Sequence, residues 1–462
     1  MRIEQKMPPW YDTRCPQLIS KNGPLKNQRR TIMNYKQNEK ILQLTENTII
    51  IGVDIAKERH VARAQDYRGV QFGKALYFYN NLDGFECFIE WMNDLASANN
   101  KSHSIIGMEP TGHYWLPLAY WLIEKQLQVV VVNSAHVKKS KELDDNSPTK
   151  NDVKDARVIS RLIQDGRYSE PHLPEGIYAE LREGMNMHDQ FMKDLQIVQG
   201  RVHQWIDRYF PEFTTVFKDW KGLASIQVLK MGLFPHEIAE TDEMIILQEI
   251  RKEVKKGVGL KKIRHLKEVA RHSIGIQEGK SMARFKIKSL IEHYLLLQEK
   301  VDKVWEMIEE LTSTIKGVQE MTDIKGIGKK TIAAFLAEVG DVNNYSHPDQ
   351  IIKLAGLNLK LATSGKWKGK TVITKRGRPK LRALLFKVIL PLVNHNPAFK
   401  ALHEYFTTRK DNPLKKKQSL IALCCKLIRI LFTVGKKQVV FNPDRMLRDI
   451  PHFRLMKNKV VA

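Results

Sequence analysis

The hydrophobic pattern turns on residues 48–54, Thr-Ile-Ile-Ile-Gly-Val-Asp, an apolar β-branched run that ends in one carboxylate. Such residues favour a strand, and the lack of polar alternation predicts one buried on both faces. Val61–Gln65 and Leu76–Tyr79 follow, joined by a polar turn at Asp66–Gly69, so the three runs predict an antiparallel meander. Leu82–Leu95 places Phe85, Phe88, Ile89 and Met92 at helical spacing. Ser104–Met108 reads as a second buried strand and is followed by Glu109. A helix over 115–126, a strand at Val129–Val132 and a helix over 150–165, with Val153, Ala156, Ile159 and Ile163 on one face, complete a β-β-β-α-β-α-β-α order. Two buried-type strands thus end in a carboxylate, and ligands of such sheets sit beyond strand ends.

From 176 to 320 helical repeats replace this pattern. Leu290, Tyr294, Leu297, Val301, Val304, Ile308, Leu311 and Ile315 alternate steps of four and three, a heptad seam. Met192, Leu195, Val198, Val202, Trp205 and Tyr209 form a weaker partner. They predict an antiparallel helical hairpin, closed on itself or shared between subunits. Beyond 321, Ile324-Lys-Gly-Ile-Gly-Lys-Lys330 precedes an apolar helix, Thr331–Val339, and 381–394 and 419–434 read as packing helices.

Charge sharpens the reading. The 462 residues carry a net +25, which calls for a polyanion, most simply DNA or RNA. No apolar run reads as reaching the roughly 18 residues a spanning helix needs, so no membrane partner is expected. Residues 1–47 are polar and basic, an arm without the apolar core of a signal peptide. Cys15, Cys87, Cys424 and Cys425 form neither a disulfide framework nor a paired zinc motif, and Cys424-Cys425 sit in an apolar run as core. A reduced, cytoplasmic protein follows. From Lys353 to Arg382 there are ten basic residues and no acid. Lys366, Lys368, Lys370, Lys375, Arg376, Arg378, Lys380 and Arg382 belong to it and are candidate phosphate contacts. The Lys325-Gly326…Gly328-Lys329-Lys330 turn is another, because backbone N–H groups at a helix start can meet a phosphate. It resembles a helix-hairpin-helix turn. The basic stretch 251–271 is equally a DNA contact or a solvated helix face.

The candidate chemistry lies in the acids. Asp54 either caps the next turn or is the first ligand of a metal site. Asp152 and Asp155 are three residues apart, which puts both carboxylates on one helix face. They either complement the helix dipole or share a divalent cation that offsets their repulsion. Oxygen ligands of this kind suit Mg²⁺ or Mn²⁺. His113, Tyr114 and Trp115 after Glu109-Pro-Thr-Gly112 either line a nucleic-acid channel or begin the next helix, the reading preferred for Trp115. Ser364, in the small-residue stretch Ala362–Gly365, means little by itself and reads as a turn serine.

The order of elements and acids over 48–168 resembles the ribonuclease H-like fold in its RuvC-like branch. Together the parts resemble the DEDD-type transposases of bacterial insertion sequences in the "one-ten" group, related to Piv-type DNA invertases. The match runs from Gly52-Val-Asp54, Glu109-Pro-Thr-Gly112 and Asp152-Val-Lys-Asp-Ala156 through a helical hairpin. It continues in Gly326-Ile-Gly328, Gly356-Leu357, Ser364-Gly365, Lys375-Arg-Gly377 and Leu381-Arg382. Asn151 and Leu359 depart from the family pattern, which commonly has a small hydroxyl residue and a proline there.

The resemblance implies an α/β plus α architecture. A basic arm (1–47) would precede a RuvC-like DEDD domain (48–175), a helical coiled-coil domain (176–320), a mostly helical transposase domain (321–440) and a basic tail (441–462). It implies that Asp54, Glu109, Asp152 and Asp155 converge on Mg²⁺ and that Ser364 is a nucleophile. It further implies donor and target DNA, a guide (bridge) RNA, and a homo-oligomer, dimer or tetramer, through the coiled coil. Two other classes compete: a metal-dependent junction resolvase or nuclease with water as nucleophile, and a non-catalytic DNA-binding scaffold. An actin-like ATPase or sugar kinase, suggested by Gly52–Lys57, lacks the second αβ half it would need.

Overall fold

A computed structural model describes residues 37–144, 152–171, 173–254, 257–360, 363–364, 367–368, 371–448 and 450; for 142–144, 363–364 and 367–368 it describes the backbone only. The chain divides after Leu173 into two compact units.

The first unit is built on a six-stranded mixed sheet. Its strands are β1 (Thr48–Asp54), β2 (Arg59–Gln65), β3 (Gln71–Tyr79), β4 (His103–Met108), β5 (Gln128–Val132) and β6 (Tyr168–Ser169), in the order β3-β2-β1-β4-β5-β6. The expected meander is present: β1 pairs antiparallel with β2, and β2 with β3. Its turn closes where Asp66 accepts hydrogen bonds from the backbone N–H groups of Arg68 and Val70, at 2.9 and 2.8 Å. β4 lies parallel to β1, and β5 parallel to β4.

Helices cover both faces. Helix α1 (Leu82–Ala98) and helix α2 (Trp115–Glu124) belong to one face with Ile49, Ile51, Val53 and Ala62. Asn81 starts α1, its side chain accepting from Gly84 N at 2.9 Å. Helix α3 (Ser134–Asp144) and helix α4 (Asp152–Gln164) lie on the other, with Ile50, Ile105 and Val130. Thus β1 is buried on both faces, as its unbroken apolar run requires.

One contact sets the depth of α4. A Cβ on Gly52 would lie 2.1 Å from the Ala156 carbonyl oxygen and 2.6 Å from the Ser160 nitrogen. Its register partner on β4 is Gly107, where a Cβ would meet Ile163 Cδ1 at 2.3 Å. Two adjacent strands therefore offer bare backbone to one helix, and α4 sinks onto β1.

Three features of this unit differ from the sequence reading. Helix α3 and strand β6 were not expected; α3 has few apolar residues beyond buried Val137, and β6 has two residues. The C-terminal end of the predicted arm, from residue 37, is folded. Residues 37–42 are helical, Gln37 donates to the Asp165 carbonyl at 2.7 Å, Lys40 bonds the Tyr168 carbonyl, and Leu44 is buried. Those tertiary partners lie more than a hundred residues away, so composition could not report them. Residues 1–36 lie outside the described ones.

The second unit is helical apart from short hairpin strands. The long helix α5 (Gly176–Tyr209) leads through short helices α6 (Phe213–Val216), α7 (Leu223–Met231), α8 (Pro235–Glu240), α9 (Glu243–Arg251) and α10 (Leu260–Arg271) to a second long helix, α11 (Lys280–Ser313). The long helices run antiparallel. Trp205 Nε1 donates to the Ala283 carbonyl at 2.8 Å, while the opposite ends meet at Gly184 and Ile308. Leu195, Val198, Val202, Leu290, Tyr294, Leu297, Val301, Val304 and Ile308 are buried along these helices, whereas Met192, Leu311 and Ile315 of the expected seams are half-buried and Ile315 lies past the end of α11. On α10, Ile263, Leu266 and Ala270 are buried, and Lys261 and Arg264 are exposed.

Helices α12 (Val318–Thr322), α13 (Lys329–Val339), α14 (Pro348–Leu354), α15 (Pro379–His395), α16 (Pro397–Thr408), α17 (Lys416–Lys437) and α18 (Pro443–Leu447) form the remaining core. α17 corrects one expectation: it has the length and, with a mean hydropathy of 1.6 over 18 residues, the apolarity of a spanning helix. Here it is the central core helix. Leu423, Cys424, Leu427 and Ile428 are fully buried, and Arg429 donates to Asp349 at 2.8 Å.

The small residues Ala362–Gly365 were expected to make a loop; the described residues between 359 and 373 instead form two short antiparallel ladders. Strand β7 (Leu359–Lys360) pairs with β10 (Val372–Ile373), and β8 (Thr363–Ser364) pairs with β9 (Trp367–Lys368). Strands of two residues, half of them polar, carry no periodicity from which to predict them.

Gly52→Ala is expected to destabilise the first unit by about 1–3 kcal/mol, since the new methyl must push α4 off the sheet. Urea unfolding monitored by circular dichroism measures it; an unchanged midpoint would refute the packing argument.

Candidate active site

The fold brings three of the four predicted acids to one point. Asp54 is the last residue of β1, and Asp152 and Asp155 lie in the first turn of α4. One carboxylate oxygen from each falls within 4.8 Å of the others. Because Gly52 admits the helix backbone, the first turn of α4 arrives beside the end of β1. Asp155 is buried, Asp54 half-buried and Asp152 exposed, so the cluster opens to solvent on one side.

Glu109 is adjacent but stands apart from that group. Val53 pairs with Met108 across parallel strands, so the next residues of the two strands are Asp54 and Glu109. The Thr111 hydroxyl donates to Glu109 Oε1 at 2.9 Å. This ties the carboxylate to the Glu109–Gly112 turn instead of to the aspartates. Its charge still reaches Asp54. Beyond the turn, Tyr114 and Trp115 are half-buried and His113 is exposed, its ring 4.2 Å from that of Tyr114. Trp115 packs on the α1–α2 core, as preferred from the sequence.

The electrostatics of the cluster are those of a cation site. Burial, then the Asp155 and Asp152 charges, push the Asp54 carboxyl up from an ordinary 3.8 to about 7, Glu109 adding slightly and Lys141 opposing. Lys141, on α3, lies 2.5 Å from Asp155 Oδ2. The sequence reading missed it, because α3 itself was not foreseen. A spacing signal existed only in buried Val137, one helical turn before it. Three carboxylates and one lysine leave net negative charge at a half-buried point, with oxygen donors only. Those donors fit a hard divalent cation and not a soft one.

The predicted nucleic-acid residues divide. Lys325, Gly326 and Gly328 are exposed in the turn between α12 and α13, and Asn396 Nδ2 donates to the Lys325 carbonyl at 2.9 Å. Lys375 and Arg376 are exposed. Others have partners within the fold. Lys329 pairs with Glu309, and Lys330 lies 4.7 Å over the Trp305 ring. Arg378 bonds the Glu338 carbonyl at the end of α13, where a cation suits the helix dipole, and burial lowers its pKa. Lys380 donates to Asn186 Oδ1 at 2.8 Å, and Arg382 to the Ala355 carbonyl at 2.9 Å. Gly377 lets this basic turn dock on α14, since a Cβ there would lie 2.3 Å from the Leu354 carbonyl. For Ser364 and Lys368 the ladder β8–β9 places the backbone, and their side chains lie outside the described residues, as do Lys366, Lys370 and Asn151.

Comparison with known proteins finds two family matches. Residues 51–211 match a transposase family of the DEDD type, and residues 318–404 match the "Transposase IS116/IS110/IS902 family". A putative transposase, y4rJ, of Sinorhizobium fredii is 33% identical over 122 residues, 26% of this chain and 30% of that relative. The pilin gene-inverting protein of Moraxella bovis is 24% identical over 398 residues, 85% of this chain and 97% of the relative. Its counterpart from Moraxella lacunata is similar to the same degree.

The raised Asp54 pKa sets a pH dependence. The folded metal-free protein binds one more proton here than the unfolded chain between pH 3.8 and about 7. This group's contribution to stability therefore falls as pH rises through that window. A cation must displace the proton, so Mn²⁺ affinity should rise about tenfold per pH unit up to pH 7 and then level off. Calorimetric Mn²⁺ titrations at pH 6, 7 and 8 test this; a flat profile would exclude Asp54 as a titrating ligand.

Proposed function

Because the chain belongs to the IS116/IS110/IS902 family of transposases, we propose that it transposes an insertion sequence with a divalent-metal site of acidic residues and a serine nucleophile. The observation that carries this reading is the convergence of Asp54, Asp152 and Asp155 within 4.8 Å at the end of β1. Carboxylates this close repel one another in a half-buried site unless a cation is shared between them.

In this reading those three aspartates, with Glu109 beside them, hold Mg²⁺ or Mn²⁺. Bound there, the ions polarise the scissile phosphate and stabilise charge on the leaving oxygen. Ser364 supplies the attacking hydroxyl. Its Oγ–P bond forms as the P–O3′ bond breaks, and the proton lost by Oγ is balanced by the one gained at the freed 3′ oxygen. A 3′-hydroxyl of the partner strand then attacks the phosphoserine, which restores both a phosphodiester and the serine. Bond energy is conserved, so no nucleotide cofactor is needed.

Ser364 would reach the acids within one chain or from a second subunit. Donor and target DNA are the partners that the net charge of +25 favours. Exposed Lys325, Lys375 and Arg376 are suited to phosphate contacts. A guide (bridge) RNA and action as a dimer or tetramer belong to the same reading on family resemblance.

Asp54→Asn and Asp155→Asn should each lower Mg²⁺-dependent strand cleavage by more than about a hundredfold, since groups that only orient a metal ligand already cost 10–100-fold. Ser364→Ala should remove the covalent protein–DNA adduct that denaturing gels trap from the unmodified protein. Cleavage that persists in Ser364→Ala, with no adduct ever trapped, would assign the attack to water and make the protein a nuclease or resolvase.

A further inference from the structure

The sheet face that carries the acids continues past them onto an exposed aromatic surface. Asp54 pairs with Val61 on β2, and Val61 pairs with Tyr77 on β3. Paired residues of antiparallel strands point to the same face, so Asp54, Val61 and Tyr77 form one row. Arg59 and Tyr79 form the next row of the same face. With strands 4.7–4.9 Å apart, Tyr77 stands about 10 Å from Asp54 along the row.

This face opens to solvent at its β3 edge, at Tyr77 and Tyr79. Helix α4 packs on β1, β2, β4 and β5 and begins at Asp152, level with the acids. Tyr77 is 45% and Tyr79 61% exposed on the edge strand, while Val61 between them and Asp54 is 3% exposed and acts as a floor. The Arg59 guanidinium lies 4.7 Å from the Tyr77 ring centroid and 5.9 Å from that of Tyr79. No carboxylate among the described residues forms an ion pair with it. Two exposed rings on an edge strand, bridged by one cation, have no packing role here. The buried aromatic of β3, Phe78, lies on the other face, with the α1–α2 core.

We infer that Tyr77, Tyr79 and Arg59 form a stacking platform for unpaired bases of the DNA strand whose phosphate enters the acid cluster. This rests on the reading of that cluster as the strand-cutting site. Each ring offers a π-face to any base, so the platform tolerates sequence variation, and Arg59 meets the backbone charge between two stacked bases. The row geometry gives the occupant its direction. A strand with a phosphate at Asp54 passes over Val61 and lays its neighbouring nucleotides on Tyr77 and Tyr79. A duplex cannot use the surface in this way, because its base faces are already stacked. The platform thus favours strands that are locally unpaired beside the cut.

The test uses the full chain in EDTA, so that neither metal nor cleavage enters the readout. A short oligothymidine carrying 5-iodouracil is irradiated with the protein, and crosslinked peptides are mapped by mass spectrometry. Crosslinks at Tyr77 or Tyr79 are expected. The double variant Tyr77→Ala, Tyr79→Ala should bind oligothymidine about tenfold more weakly and bind duplex of the same length unchanged. Tyr77→Phe with Tyr79→Phe keeps the rings and should bind as the unmodified chain does. Crosslinks confined to other segments, or unaltered single-strand affinity in the alanine variant, overturn the proposal. Equal weakening for single strand and duplex overturns it too, as does weakening in the phenylalanine variant. Loss of oligouridine binding with oligothymidine unaffected would assign the surface to RNA and overturn the DNA assignment. Full cleavage activity in Asp54→Asn would instead sink the reading of the acid cluster, while leaving these binding measurements to stand or fall by themselves.

Discussion

The contact on which the first unit depends is the meeting of α4 with the bare backbone of β1 at Gly52. A strand buried on both faces must present side chains to both layers, and at this one position it presents none. The helix then comes close enough for Ala156 and Ser160 backbone atoms to occupy the space of a side chain. Gly107 repeats the arrangement on β4. Everything that gives the site its geometry follows from that depth: Asp155 becomes buried, its carboxylate meets Lys141, and Asp54 loses enough solvent for its carboxyl to hold a proton near neutrality.

Charge is used in two opposed ways along the molecule. At the acids, like charges are brought together at a half-buried point, and Lys141 offsets part of their repulsion. In the helical unit, several cations that looked free are spent on the fold. Arg182 and Arg378 both bond carbonyls at the C-terminal end of α13, at Ala337 and Glu338. Lys380 reaches α5, and Arg382 reaches the end of α14. Within the run of ten basic residues without an acid, Arg378, Lys380 and Arg382 thus have partners in the fold. Lys375 and Arg376 remain at its surface, just before Gly377 and Arg378, which anchor the turn that carries them.

Much of the architecture was legible because apolar spacing is a local property. The β-β-β-α-β order, the helix read over 150–165 and the helical repeats of 176–320 follow apolar spacing with the period of the structure they form. The misses share a cause. Helix α3 is nearly all polar, β6 and β7–β10 are two residues each, and the folded end of the arm depends on Asp165 and Tyr168 far along the chain. None has a period, and each exists through partners distant in sequence. The apolar character of α17 misled in the other direction: a helix can be as apolar as a membrane span when it is the centre of a core, and Arg429 on its flank has Asp349 to meet it.

For the candidate site the division is equally clear. The sequence by itself determined that two buried strands end in acids and that Asp152 and Asp155 share a helix face, because strand and helix periods are fixed by backbone geometry. Only the tertiary structure decided that three of the four acids converge, that Glu109 is held aside by Thr111, that Lys141 stands among them, and that Tyr77 lies in one row with Asp54. These are distances between elements. They are set by strand register and by how closely layers can pack, which no single stretch of sequence contains.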